Sequence, residues 1–262
     1  MSHSIYLTFD LEEFDIPLEY GNHISLSEQL EVGYSAMPSL HSLLQNQGVT
    51  ATYFVTGNFA CHYPMLIQEL AEENEIASHS FYHTRYQPGD LRKSKETLEQ
   101  IINKEVTGLR MPRMKILDSR EILEAGFKYD SSIHPTFLPG RYNNLHLPRQ
   151  PYFESDLLRI PASVSPVIRI PLFWLSFKNF PLNFYIQLVK RTLKKDGSLV
   201  LYFHPWEFAN IQYFKLPSYV SSPNGITLLD RLNKLITSIK NEGEFCQLNQ
   251  YRVNCLKQNK CH

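Results

Sequence analysis

Short apolar runs alternate with amphipathic stretches through the first half of the chain. Ile5–Phe9 is an unbroken apolar and aromatic run of strand length. Phe14–Glu28, which carries Pro17 and Gly21, reads as a loop. Met37, Leu40, Leu43 and Leu44 then recur at the spacing of one helix face, and Gly48 stops that helix. Thr52, Phe54 and Thr56 alternate with Tyr53 and Val55, the period of a strand. A helix opened by Pro64 leads to a short strand, Glu75–Ser78. The next helix is long and amphipathic, with Leu91, Leu98, Ile101 and Ile102 inward, Asp90 as its predicted cap and Gly108 as its predicted stop. A short strand and loop at Leu109–Arg113 follow. A helix ended by Gly126 then runs into a strand at Phe127–Asp130.

Strand followed by helix, four times over, implies parallel strands joined by crossover helices. The rhythm breaks at 133–180, a proline-rich stretch without a clear period that can hold hairpins or cover a site. It returns with a helix at Phe180–Lys195 and a strand at Ser198–Phe203, which runs straight into His204-Pro-Trp-Glu-Phe. The last clear helix turns Leu228, Leu229, Leu232, Leu235 and Ile236 inward. No internal repeat and no linker composition divides the chain, so residues 1–262 are expected to form a single α/β domain, a natural size for a barrel.

Composition narrows the function classes. Lys plus Arg equals Asp plus Glu at 26 each, which leaves no basic footprint for nucleic acid. Cys61, Cys246, Cys255 and Cys261 are too few for a disulfide framework and read as reduced thiols; Cys255, Cys261 and His262 match no common zinc spacing. No clean apolar run reaches membrane-spanning length. The densest one, Ile168–Lys190, is broken by Arg169, Pro171, Lys178 and Pro181, and its aromatics are candidates for a dimer seal or a peripheral membrane contact. The amino terminus reads as a first strand and not as an export signal, so a cytoplasmic location is expected, with contact at the inner membrane face left open.

The chemistry gathers at strand ends. The first strand ends in Asp10-Leu-Glu12-Glu13, and period two places Asp10 and Glu12 on one side. The third ends in His79-Ser-Phe-Tyr-His83, the fourth carries Arg110, and the late one delivers His204. An isolated HxxxH is commonly structural. Beside Glu12, however, it completes two imidazoles and a carboxylate, a set for one hydrolytic divalent ion with open positions. Zinc is the first choice, and iron, manganese, cobalt and nickel suit the same ligands. Asp10 is then the candidate base, Arg110 the group that holds it ionised, and His204 the candidate acid. Trp206 is a candidate pocket wall or core residue. Glu207 is a candidate orienting acid, and Asp130 a partner for Arg110 or His204. Glu13 and Asp15 read as solvated loop acids or salt-bridge partners.

Five patches in order resemble the polysaccharide deacetylase family, also known as NodB-homology or carbohydrate esterase family four. They are Thr8-Phe-Asp10, His79-Ser80-x-x-His83, Gly108-Leu-Arg110-Met-Pro112, Tyr129-Asp130-Ser131-Ser132 and Leu201–Phe208. The resemblance implies a distorted (β/α)7 barrel and metal-dependent removal of an N-acetyl group from a sugar or sugar conjugate, in surface polysaccharide biosynthesis; the missing export signal fits a nucleotide- or lipid-linked sugar as its partner. It also implies an oxyanion donor at the backbone N–H of Tyr82 or a neighbour. The Asp-x-Glu first motif and the His-Pro-Trp-Glu ending are similar to a divergent branch. The wider set includes allantoinase-like hydrolases of cyclic amides and ureides, which is the second expectation. A non-catalytic carbohydrate-binding or scaffold barrel is the third.

Overall fold

A computed structural model describes residues 3–251. Its strands are β1 (Ser4–Leu11), β2 (Thr52–Val55), β3 (Glu75–Ser78), β4 (Gly108–Leu109), β5 (Tyr129–Asp130), β6 (Phe137–Leu138), β7 (Tyr142–Asn143), β8 (Tyr152–Glu154), β9 (Leu157–Arg159), β10 (Ser198–Phe203) and β11 (Glu244–Phe245). Seven of them run parallel in the order β10-β1-β2-β3-β4-β5-β9. β8 returns antiparallel on β9, β11 adds beside the start of β1, and β6 and β7 form a separate hairpin. The parallel path is the expected α/β sheet, curled into a distorted barrel. No ladder joins β9 to β10 among the described residues. Ser163 spans that seam, donating its N–H to Val200 (3.0 Å) and accepting the Val200 N–H at its hydroxyl (2.8 Å).

Alternation along β1 sets the two sides of the sheet. Ile5, Leu7, Phe9 and Leu11 pack outward under the helices in the main apolar cluster. Tyr6 faces inward with Phe54, Ala77, Tyr129, Leu158 and Val200. The same parity carries Thr8, Asp10 and Glu12 up the inner side, as period two requires.

Local structure differs from the sequence expectation in three places. The stretch expected as a loop at Phe14–Glu28 contains a short helix, Ile16–Glu19, and the start of another, Leu26–Ser35. Ser25 and Glu28 form a reciprocal capping box there, a start signal that outweighs a weak apolar stripe. Asp90 is not a cap: it is the first residue of its helix, and its carboxylate accepts the Gln87 N–H outside (2.7 Å). Nor does Gly108 stop that helix, which ends at Ile102 with Asn103 left-handed at φ 52°. Gly108 lies in β4 because the Tyr129 ring packs on it; a Cβ there would sit 2.1 Å from that ring. The aromatics expected at a surface between Phe173 and Tyr185 are mostly core, with Phe173, Phe177 and Tyr185 buried and Phe184 exposed. Cys61 and Cys246 are free thiols, while Cys255, Cys261 and His262 lie outside the described residues. No helix among the described residues is long and apolar enough to cross a membrane.

The foot of the barrel is closed by a buried acid. Glu75 accepts from the Thr52 hydroxyl (2.8 Å), the Tyr129 hydroxyl (2.8 Å) and the Asn249 N–H (3.0 Å). Burial outweighs these donors and pushes its pKa up to about 7. A folded-state pKa above the unfolded 4.5 means that the folded protein binds the proton more tightly. The associated stability is present below pH 4.5 and is lost as pH rises through about 7. Glu75→Gln is therefore expected to flatten the pH dependence of urea stability across that window, a difference on the order of 3 kcal/mol. An unchanged slope would refute it. Gly108→Ala should lower stability by about 3 kcal/mol in the same assay, because the Tyr129 ring is pinned by Glu75 and cannot yield.

Candidate active site

The carboxyl ends of adjacent parallel strands meet at one mouth. The ladder continues one step past the last paired residues: His79 N–H donates to Val55 O (2.8 Å) and Arg110 N–H to Ser78 O (2.9 Å). Glu12, His79 and Arg110 thus leave the sheet at the same level. After His79 the chain reverses through Ser80, left-handed at φ 65°. Two N–H groups at the start of the helix Gly57–His62 hold the loop, Gly57 to Ser80 O (3.0 Å) and Asn58 to Phe81 O (2.8 Å). That turn folds His83 back over His79, with ring centroids 5.6 Å apart.

Glu12, His79 and His83 converge. Glu12 Oε2 lies 2.9 Å from His79 Nε2 and 3.0 Å from His83 Nε2, yet has no partner in hydrogen-bond geometry. Three electron-pair donors therefore aim at a common point in a site where Glu12 is only 2% exposed. Donors held ~2.1 Å from one ion stand about 3.0–3.4 Å apart at ordinary coordination angles, so the trio fits a divalent metal. Burial opposes ionisation of Glu12, but the imidazoles of His83, His204 and His79 hold its carboxyl well below the ordinary range. Burial likewise opposes charge on His83, while Glu12 and Asp15 raise it to about 9.

Asp10 and His204 flank the trio. Arg110 Nη1 donates to Asp10 Oδ1 (2.7 Å) and to Thr8 Oγ1 (2.8 Å), and its other nitrogens bind the Ser131 carbonyl and hydroxyl. The guanidinium lies over the Phe54 ring at 4.1 Å. His204 Nε2 stands 4.0 Å from Asp10 Oδ2 and 4.0 Å from Glu12 Oε1. Its Nδ1 lies 3.1 Å from Glu207 Oε1, which also accepts the His204 N–H at 2.8 Å. Burial works against a charged His204, but Glu12, Glu207 and Asp10 raise its pKa.

Asp10, Glu12, His79, His83 and His204 all line one cavity of about 110 Å³, walled by Leu138, Tyr142, Phe173, Trp174 and Leu175 from the irregular segment. Other expected site residues lie behind it or elsewhere. Trp206 is fully buried outside the cavity lining, where it stacks on His204 (4.9 Å, 23°) and donates Nε1–H to Glu12 Oε1 (3.2 Å); Trp174 supplies the wall instead. Asp130 pairs with neither Arg110 nor His204. It binds Arg159 Nη1 at 2.8 Å, because Arg110 is already filled by Asp10, Thr8 and Ser131. The Tyr82 ring turns away from the cavity and lies under Arg85 (4.1 Å).

Two acids read as solvated are buried. Glu13 accepts from Thr56 (2.8 Å) and Asn58 (2.6 Å), tying β1 to the helix that grips the histidine loop. Asp15 lies 2.8 Å from His83 Nδ1 and accepts from Arg113 Nη2 (2.8 Å). Arg113 also donates to the His83 carbonyl (3.1 Å). A carboxylate behind a metal-binding imidazole fixes the ring and raises its basicity. Lys178 was legible only as a break in an apolar run. It is buried, 3.6 Å from Glu207, and donates to Val220 O (2.7 Å).

This fold and site define the class, and sequence comparison agrees with it. Residues 2–129 match the polysaccharide deacetylase family model. Over those residues the chain is similar to the polysaccharide deacetylase family, and it carries a buried His-His-carboxylate group suited to a metal. It is 35% identical over 81 residues to the peptidoglycan-N-acetylmuramic acid deacetylase PdaA of Bacillus subtilis, a match that spans 30% of this chain and 24% of that relative. A Mycobacterium smegmatis structure assigned to the polysaccharide deacetylases superposes with a TM-score of 0.66 at 19% identity, covering 98% of this chain and 91% of the other. The PuuE allantoinase structure superposes equally well, with a TM-score of 0.66 at 14% identity over 99% and 92%.

Asp15→Asn should leave the fold intact and weaken zinc affinity by about 10–100-fold, measured by competition with a chromophoric chelator. Undiminished affinity would show that Asp15 serves only Arg113.

Proposed function

We propose that the protein is a metal-dependent hydrolase that removes an N-acetyl group from a sugar or sugar conjugate, with zinc as the resident ion. The observation that carries this reading is a Glu12/His79/His83 group flanked on one side by an Arg110-bound Asp10 and on the other by a Glu207-bound His204. A divalent ion at that group supplies Lewis acidity to water and to the acyl oxygen.

The protein's own residues supply the rest. Arg110 occupies Asp10 Oδ1 and leaves Oδ2 toward the cavity, where it takes the proton of the attacking water. Glu207 anchors His204 Nδ1, so that Nε2 presents the proton to the departing sugar nitrogen as the C–N bond breaks. The Tyr82 N–H, on the loop that carries both imidazoles, is assigned to the developing oxyanion. The apolar wall excludes bulk water and suits the C–H face of a sugar. Acetate and the free amine leave. PdaA is named as a deacetylase of an N-acetylated sugar polymer, which supports this substrate class.

Asp10→Asn and His204→Ala should each retain one zinc by elemental analysis and lose about 10²–10⁴-fold in kcat for acetate release from a β-1,4-linked N-acetylglucosamine tetramer. Full activity in either zinc-loaded variant would overturn its role. Ring opening of a cyclic ureide without acetate release would transfer the site to allantoinase-type chemistry. A purified protein that holds no zinc and turns nothing over would make it a binding scaffold.

A further inference from the structure

Among the titratable residues beside the cavity that this mechanism leaves unused is His134. His134 follows β5 and is fully buried behind the cavity wall, boxed by Phe173 (5.1 Å between ring centroids), Tyr202 (5.7 Å) and Tyr142 (6.0 Å). Its Nδ1 lies 2.8 Å from the Tyr142 hydroxyl, and its Nε2 has no hydrogen-bond partner. Among the described residues no carboxylate pairs with it, and both burial and the Arg110 guanidinium disfavour the charged ring, so the imidazole is neutral and carries one proton.

Where that proton sits decides what Tyr142 offers the cavity it lines. A proton on Nε2 leaves a buried N–H without an acceptor, which costs the full desolvation of that donor, and uses up the tyrosine proton on Nδ1. A proton on Nδ1 is donated to the Tyr142 oxygen, and the phenol hydrogen is then free to turn into the cavity. Burial raises the Tyr142 phenol pKa, so the hydroxyl keeps its hydrogen.

We infer that His134 holds Tyr142 as a dedicated hydrogen-bond donor to an oxygen acceptor on the substrate, a sugar hydroxyl or glycosidic oxygen. Tyr142 is the substrate-binding residue and His134 its positioning residue. The substrate class rests on the function proposed above; the tautomer does not. The hairpin strand β7 that bears Tyr142 belongs to the irregular segment, so this contact selects substrates without touching the metal group.

Nitrogen-15 NMR of the histidine-labelled, zinc-loaded protein, with His134 assigned through His134→Gln, reads the tautomer directly. A protonated Nδ1 and bare Nε2 from pH 5 to 9 are expected; a protonated Nε2 or an imidazolium overturns the inference. On the N-acetylglucosamine tetramer, Tyr142→Phe should lose about 3- to 10-fold in kcat/KM with zinc content unchanged. His134→Gln should show the same loss alone and less than about 2-fold in the Tyr142→Phe background. Equal losses in both backgrounds would mark a merely structural histidine. A wild-type protein inert toward the tetramer counts against the proposed function, while the tautomer result still stands or falls by itself.

Discussion

Four carboxylates enter a nearly dry barrel mouth within six residues of β1's end, and the site is organised by the need to neutralise them. A buried acid is tolerable only when it is paired or hydrogen-bonded. Asp10 has Arg110, Asp15 has Arg113, and Glu13 has two neutral donors. Glu12 has Trp206 on one oxygen and, on the other, only two imidazole nitrogens that do not donate to it. That oxygen and the two imidazole nitrogens beside it form a group suited to a divalent ion.

This compensation reaches well beyond the four acids. Arg110 is itself pinned by Thr8 on β1, the Phe54 ring on β2 and Ser131 just past β5, so Asp10 is held from three sides of the sheet. His204 is fixed through Glu207, which lies against the buried Lys178. Asp10 and His204 are each thus oriented by a buried neighbour, Arg110 through its own hydrogen bonds and Glu207 beside the Lys178 ammonium.

The parallel sheet and the strand-end residues were legible because each rests on a local rule: period two on β1, imidazoles four apart, a strand feeding directly into His204. Asp10, Glu12, His79, His83, Arg110 and His204 all meet where those rules place them. What escaped depends on pairings between distant segments. Asp130 has an arginine partner 29 residues on, and nothing near it in the chain announces Arg159. Asp15 looks solvated because burial by Arg113 and His83 is a tertiary event. The helix Leu26–Ser35 was hidden by a weak stripe, although its Ser25–Glu28 box was readable. Gly108 looked like a helix terminator because a glycine's reason, here an aromatic ring lying on its backbone, leaves no trace in local sequence.

The seam between β9 and β10 separates two kinds of residue. Asp10 stands on β1, and Glu12, His79 and Arg110 follow directly on the ends of the contiguously laddered β1, β3 and β4. Phe173 and Trp174 belong to the connection from β9 to β10, which crosses the unladdered gap with Ser163 joined to Val200 by two hydrogen bonds and Phe173 bridged to Tyr202, while Tyr142 comes from the β6–β7 hairpin. The cavity wall and the Glu12/His79/His83 group are thus anchored on different parts of the sheet, and they meet where Trp174 packs on His204 (5.3 Å between ring centroids).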